Sequence, residues 1–580
     1  MTLRPQPSKE VERPEASSSA CRPQIDDQQV ARAMSLIDAS GICARVARWR
    51  EEDRERAGKG PGGRPASLDD RMILVIMLAL VLEGSPTLVT HAATATKYRL
   101  SEQAKIMLGI DPDKIGNIDW YDRCWRALHS LLDVIDPFPG PRNRLLTKDE
   151  WEVVKAQRDQ VESARKHERL DWVVNQFPEV TIQMMPRAAR RQWKGNVCID
   201  ATPVVAFGKR GTTKRSDLVS IEPDAGWYIR EGDHRDPGDD RGKKYRKIMW
   251  GWEATLAVMS TNDPSGPVEF PYLVVAMGFG KPGANVAGHG VSAFGSIVKR
   301  GHPAGMAIGD RAYFPNSKPE DLQLPLRALG YDLVFDYRDD QLGITESYAG
   351  GIQVEGSWYC PSMPQALIDA TIDLRVKKLI DKATYAMRIE QRRRYLLRPK
   401  ERADQDGYVP MVCPAAGGSA TVYCPLKKPV GNVSSRSRIT IAPSHPDKIC
   451  VNKSSASFPP TAGAKYGQSL HFGSPEWHAM YATARNTIEG FNGYIKDANH
   501  EALDQPGRRR VRGYAAQYLF TAMLVASANL RKIDTFLREA GNSTDASAKL
   551  PRKRRPRRRD QLASYRPVSL TLSSGDPPSG

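Results

Sequence analysis

The chain has 580 residues, with 85 Lys plus Arg against 67 Asp plus Glu and a formal charge of +18. Its 40% hydrophobic and 26% charged content excludes a fibrous or wholly disordered polymer, and the length fits about four domains, or fewer with a large insertion. The basic surplus favours a polyanionic partner, of which nucleic acid is the commonest.

Residues 1 to about 28 are polar and rich in Pro and Ser, with no apolar signal-peptide core, and 1–60 is expected to be largely disordered. A second polar stretch, EEDRERAGKGPGGRPAS, leads into a helical block over 61–140. Ser67 with Asp70 reads as a helix start before MILVIMLALVL, Met72 to Leu82. That run is too short to span a bilayer and predicts a buried helix. KYRLSEQAKIMLGI and DWYDRCWRALHSLLDVI carry further helical patterns. Several short helices in a basic protein fit a helix-turn-helix DNA-binding domain, and fit any small helical domain as well. PFPGP, Pro137 to Pro141, breaks the pattern. The segment 141–195 reads as a helical connector, with one or two exposed helices over the charged stretch Thr147 to Glu179.

At Asn196 the character changes. NVCIDATPVVAF is β-branched and apolar, a mostly buried strand. A polar loop from Glu231 to Arg246 separates it from KIMWGWEATLAVMS and FPYLVVAMGF, two further strands. A helical pattern from Gly283 to Arg300, the short strand GMAIG, a helix within Lys318 to Leu329 and the strand YDLVFDY complete 196–340. The order β-β-β-α-β-α-β predicts an antiparallel start with parallel additions, the order in which a ribonuclease-H-like fold is built.

From 341 to 475 the pattern becomes a β-rich insertion, with pieces such as GIQVEGSWYC, ATVYCPL and RSRITIAP, and helix over about Pro364 to Arg398. Cys360, Cys413, Cys424 and Cys450 fall here, with His471 after them. Two Cys-Pro dipeptides flank a Gly-rich turn in VPMVCPAAGGSATVYCPL, so a hairpin there would face two sulfurs. Zinc takes four such ligands, but no C-x₂-C pair is present, and buried metal-free thiols are the alternative. Trp358 reads as a core residue or as a platform for an unpaired base; Cys198 reads as core. Eight scattered cysteines form no disulfide framework, which points to a reducing cytoplasm. Helices return over 476–540, and 541–580 holds a basic tail, PRKRRPRRR.

Three carboxylates stand out. Asp200 lies inside an apolar strand, where an isolated carboxylate is costly unless it is paired or holds a cation; a strand-end Asp capped by Thr202 is the plainer reading. Asp310 ends a strand, where open sheets bind ligands and where an Asp also serves as an ordinary turn cap. Glu489 shares a helical line with Tyr481, Arg485, Asn492 and Lys496. There Arg485 and Glu489 are four residues apart and could form no more than a surface ion pair. Gly490 and Gly493 disfavour a free-standing helix. Two-metal phosphoryl transfer needs such clustered oxygen ligands.

IDAT around Asp200, GDRAY around Asp310 and YATARNTIEGFNGYIK around Glu489 together resemble the DDE transposases of bacterial insertion sequences. The resemblance is to the group with a β-rich insertion before the catalytic Glu, and the third segment is similar to its Tyr–Arg–Glu–Lys signature. Three residues separate Tyr481 from Arg485 where the commonest pattern has two, and Ala201 follows Asp200 where Gly or Ser is more usual. The resemblance implies a ribonuclease-H-like mixed sheet with flanking helices. It implies Asp200, Asp310 and Glu489 as a triad for Mg²⁺ or Mn²⁺, and Tyr481, Arg485 and Lys496 on transposon-end DNA. A homodimer on paired ends, in a bacterial cytoplasm, is the implied assembly. The run RRRVR adds Arg508, Arg509 and Arg510 as candidate DNA contacts. The expected activity is cleavage of element ends and their joining to target DNA. A transposase-derived DNA-binding protein without catalysis, or a nuclease without strand transfer, are the alternatives.

Overall fold

The computed structural model describes residues 23–60, 66–116, 118–141, 144–208, 211–232 and 245–544. Two helices occupy part of the segment expected to be disordered, α1 (Asp27–Ser40) and α2 (Ile42–Arg56). The sparse apolar residues of α1, Val30, Ala33, Leu36 and Ile37, recur at helical spacing and are buried. The charged α2 is held by long-range ion pairs, Arg50 with Asp70 and Asp53 with Arg169 at 2.6 Å. Such pairing is invisible to a local reading of polarity.

Helix α3 (Asp70–Leu82) is the expected buried helix: Ile73 to Val81 are all buried. Its cap is Asp69, which accepts from the Met72 N–H at 2.8 Å, rather than Ser67. It packs with α1 and with α4 (Trp120–Ile135). Three shorter helices, Val89–Thr94, Ala95–Arg99 and Glu102–Met107, lie between α3 and α4. In the connector, the helix Lys148–Ala156 is only partly exposed, with Trp151 buried against Leu146 and Val219. Helix α5 (Gln160–Gln183), expected to be exposed, buries Leu170, Val173, Val174, Phe177, Val180 and Ile182 in its second half. No helix among the described residues is long and apolar enough to cross a membrane.

A six-stranded mixed sheet follows: β1 (Val197–Val205), β2 (Gly226–Gly232), β3 (Tyr245–Met259), β4 (Val274–Gly280), β5 (Met306–Gly309) and β6 (Asp332–Phe335). The long β3 pairs antiparallel with β1 along one edge, and with β2 and then β4 along the other. Beyond β1, strands β5 and β6 add in parallel. The antiparallel start and parallel additions agree with the expected strand order. Strand β2 was not expected; its charged segment YIREG pairs antiparallel with Tyr245–Met249 of β3, whose first two residues, Tyr245 and Arg246, fall in the anticipated polar loop. The rest of that loop lies outside the described residues.

Helix α6 (Val286–Lys299) crosses from β4 to β5. Outer strand β4 has its free backbone groups covered by side chains. Asn175 and Asn529 each both donate to and accept from its main chain, at Met277 and Val274 respectively, and Tyr518 Oη donates to the Met277 carbonyl. This pairing protects an otherwise exposed edge. Asn529 and Tyr518 lie on α8 (Tyr514–Thr544), a helix buried along most of its length up to Ile533.

The insertion holds two three-stranded sheets and a two-stranded parallel pair around a core of its own. The hairpin expected between Cys413 and Cys424 does not form. Val409–Val412 pairs with Arg398–Pro399 and Ala456–Phe458, while Val422–Tyr423 pairs in parallel with Ser437–Arg438. Long-range partners outcompete the local turn. Trp358 is partly buried and packs edge-on against Phe458 of that core, with ring centres 4.9 Å apart.

The chain divides into two units, Met1–Ile533 and Asp534–Gly580. Of the second, only the continuation of α8 to Thr544 is described, so the basic tail lies outside the described residues.

Candidate active site

Register places the first two carboxylates side by side. The parallel pairing of β1 and β5 ends at Ile199 with Gly309, so Asp200 and Asp310 are the next residues on both strands. Asp310 also has the plainer role considered for it: its Oδ1 accepts from the N–H groups of Ala312 and Tyr313 at 2.9 and 3.3 Å.

The third carboxylate arrives on α7 (Pro475–Tyr494), which lies against β1, β3, β5 and β6. Trp477, Met480, Ala484, Ile488 and Phe491 recur every three or four residues and are buried. Burial of that stripe sets the rotation of the helix. The adjacent line of Arg485, Glu489, Asn492 and Lys496 consequently faces the strand ends. With Asp200 and Asp310 these side chains line one cleft of about 770 Å³.

Arg485 is the hub. It donates to Glu489 at 3.1 Å and approaches Asp200 at 3.7 Å. The ion pair that could have been a mere surface contact therefore exists, but its arginine is largely buried and shared with a strand. Nearby carboxylates raise the guanidinium pKa despite its burial. Glu489 keeps 61% of its side chain exposed at the cleft mouth. Asn492 Nδ2 donates to Asp200 Oδ2 at 3.1 Å, while its buried Oδ1 has no hydrogen-bond partner.

Burial pushes the Asp200 carboxyl up to about 6; Arg485 opposes the shift, and the charges of Asp310 and Glu489 add to it. Such perturbation in a cleft is the mark of a functional site or of a tight ion-pair network. Among the described residues, no three His, Cys, Asp or Glu side chains are close enough to clasp one ion as they stand.

Glu253 is a fourth carboxylate of the cleft. It lies on β3, accepts from the Gly283 N–H at 2.9 Å, and is raised by burial and by Asp310. The signal that singles out Asp200, a carboxylate within an apolar strand, applies equally to Glu253 in KIMWGWEATLAVMS. Asn492 was likewise visible on the polar line of its helix.

The other candidates divide. Tyr481 stacks on Trp477, ring centres 4.9 Å apart, beside rather than in the cleft lining. Arg508 donates to the carbonyls of Ala498 and His500, and its own carbonyl accepts from Thr87. Arg509 corrects the expectation of DNA contact: it is fully buried, bonded to Gln517, and burial pulls its pKa down to about 10. Arg510 is exposed, its guanidinium 4.8 Å from the Phe207 ring centre. Cys360, Cys413, Cys424 and Cys450 lie together in the core of the insertion. No protein-family model matches the chain, and no curated protein or solved structure matches it either.

Proposed function

We propose that the chain is a DNA transposase that cleaves the ends of its element and joins them to target DNA by Mg²⁺-dependent phosphoryl transfer. The observation that carries this reading is the convergence of Asp200, Asp310 and Glu489, from positions far apart in sequence, in one cleft with Arg485 and Lys496. The strand order, with antiparallel β4-β3-β1 followed by parallel β5 and β6, supports a ribonuclease-H-like core. The +18 charge supports a DNA partner.

The donor set fits a hard divalent ion. Oxygen ligands predominate, burial and the charges of Asp310 and Glu489 raise the Asp200 carboxyl, a penalty that a bound cation would relieve, and Asn492 Oδ1 is buried and unpartnered. Asp200 and Asp310 would hold the ions from the strand ends, and Glu489 would complete the set from α7. When bound, the ions would activate the attacking hydroxyl and stabilise the leaving oxygen. Arg485 neutralises Asp200 and tethers Glu489, keeping both carboxylates at the cleft. Lys496 lines the same cleft and supplies positive charge for a phosphate.

The test is cleavage and joining of duplexes carrying the inverted repeats that flank the gene, with and without Mg²⁺. Asp200→Asn, Asp310→Asn and Glu489→Gln are each expected to abolish both steps while retaining DNA binding. Any of the three working at the wild-type rate removes that residue from the triad. Cleavage without joining would favour a nuclease.

A further inference from the structure

The insertion contains a cysteine constellation that the cleft does not use. Cys360, Cys413, Cys424 and Cys450 are buried in one apolar core although they come from four separate segments. Their sulfurs are near enough to influence one another's ionisation: Cys360 feels the other three, and Cys450 feels Cys413 and Cys424. All four are free thiols.

Three of them open the same turn. In Cys360-Pro361, Cys413-Pro414 and Cys424-Pro425, the cysteine carbonyl accepts from the N–H three residues on. The donors are Met363, Ala416 and Lys427, at 3.0, 2.9 and 3.1 Å. Proline at the second position pre-sets the turn and has no N–H of its own. The N–H that follows it is turned back to the sulfur in two of the three cases, Ser362 to Cys360 and Ala415 to Cys413. A backbone donor from Asp447 reaches the sulfur of Cys450. Donors of this kind favour a thiolate over a neutral thiol.

Cations are placed to match. Lys427 and Arg398 both favour the thiolate of Cys413, and Lys427 that of Cys450. Each is anchored in the segments that carry the cysteines: Lys427 donates to the Asn452 carbonyl at 2.6 Å, and Arg398 to the Ala416 carbonyl at 3.2 Å. Burial works the other way, pushing Cys360 up to about 12 and Cys413 and Cys450 upward. Four buried cysteines from four segments, three of them opening the same turn, with Lys427 and Arg398 anchored beside them, make a sulfur set that one tetrahedral metal ion would complete.

We propose that Cys360, Cys413, Cys424 and Cys450 form a structural zinc site that ties four segments of the insertion together. Binding replaces the S–H bond of each cysteine with a Zn–S bond and releases each proton to solvent. The resulting complex carries a charge of about −2, which Lys427 and Arg398 offset. A four-sulfur tetrahedral set selects zinc or iron, and a single ion with no redox role suits a core that only has to be held. The sulfurs do not clasp an ion as they stand; zinc–sulfur bonds of about 2.3 Å draw them inward. The site stands apart from the reaction proposed for the cleft, since none of its residues lines that cleft.

The experiment is elemental analysis of the full-length chain purified without chelator, followed by release with a mercurial reagent. The expected result is about one zinc per chain, freed as the thiols are titrated. Replacement by cobalt is expected to produce the thiolate-to-cobalt charge-transfer absorption and the visible bands of a tetrahedral site. Cys413→Ser and Cys424→Ser are each expected to lose at least about 10-fold in zinc affinity, whereas Cys43→Ser keeps its zinc. Wild-type protein that takes up no zinc when zinc is supplied, holds iron instead, or lacks the cobalt–thiolate signature overturns the assignment. So does undiminished zinc in both insertion variants. The wild-type measurements do not depend on whether the variants fold.

Discussion

Asn492 Nδ2 donates to Asp200 Oδ2 at 3.1 Å, joining α7 to β1 across 292 positions of sequence. The bond orients Asp200 and ties it to the helix that carries Glu489. Asn492→Ala is therefore expected to slow end cleavage by about 10- to 100-fold, the usual cost of losing a residue that orients a ligand. Stability should fall by only about 1 kcal/mol, the net worth of one hydrogen bond. Cleavage rates across a Mg²⁺ titration, alongside thermal denaturation, separate the two effects. An unchanged Mg²⁺ dependence and rate would remove Asn492 from the site.

Burial gives Asp200 a pKa of about 6 against the ordinary 3.8. Without metal, the folded chain thus keeps a proton here that the unfolded chain has lost. The stability this group contributes is fully present below about pH 4 and is lost as pH rises through 6, a change of about 3 kcal/mol at most. Asp200→Asn removes the dependence. In chelator, the variant is expected to melt above the wild type at pH 8 and level with it near pH 4, while being inactive. A lower melting temperature at pH 8 would mean that the Arg485 contact outweighs the burial cost.

Arg509 and Arg510 are adjacent in sequence and opposite in setting, one fully buried and the other exposed. Arg510→Ala is expected to weaken duplex binding uniformly and to reduce the salt slope by about 0.9. Arg509→Met should leave affinity and slope unchanged, because its guanidinium points into the protein toward Gln517. Fluorescence anisotropy at several salt concentrations reads both. Equal losses in the two variants would contradict this division.

The insertion contains a fully buried ion pair between Glu355 and Arg392, with Thr371 donating to the same carboxylate at 2.8 Å. Glu355→Gln leaves the guanidinium without its counter-charge and is expected to cost about 3–5 kcal/mol. Replacing both partners with Met should restore much of that loss. Thermal melts of the single and double variants decide it; a harmless single variant would show that the pair does not hold the insertion.

Much of the sheet was legible because its signals are local. NVCIDATPVVAF, FPYLVVAMGF and YDLVFDY are rich in apolar and β-branched residues, and the matching strands are where those segments lie. The all-apolar α3 was legible for the same reason. Strand β2 was not, because the charged YIREG carries no apolar run of its own and becomes a strand by pairing with Tyr245–Met249 of β3. The β character of ATVYCPL and RSRITIAP was legible, but the parallel pairing of Val422–Tyr423 with Ser437–Arg438 was not, because a long loop separates the two and no local turn announces it.

The site divides along the same line. Residue type and spacing alone determined the candidates: a carboxylate in an apolar strand, another at a strand end, and a third on a helical line with Arg485, Asn492 and Lys496. Tertiary structure decided their company. It set Asp200 beside Asp310 by strand register, brought α7 over both, added Glu253, and turned Arg509 inward. It also gathered four cysteines whose sequence spacing holds no metal motif. The physical reason is that hydropathy and residue chemistry are properties of short segments. Burial, charge pairing and convergence depend on which distant segments pack together.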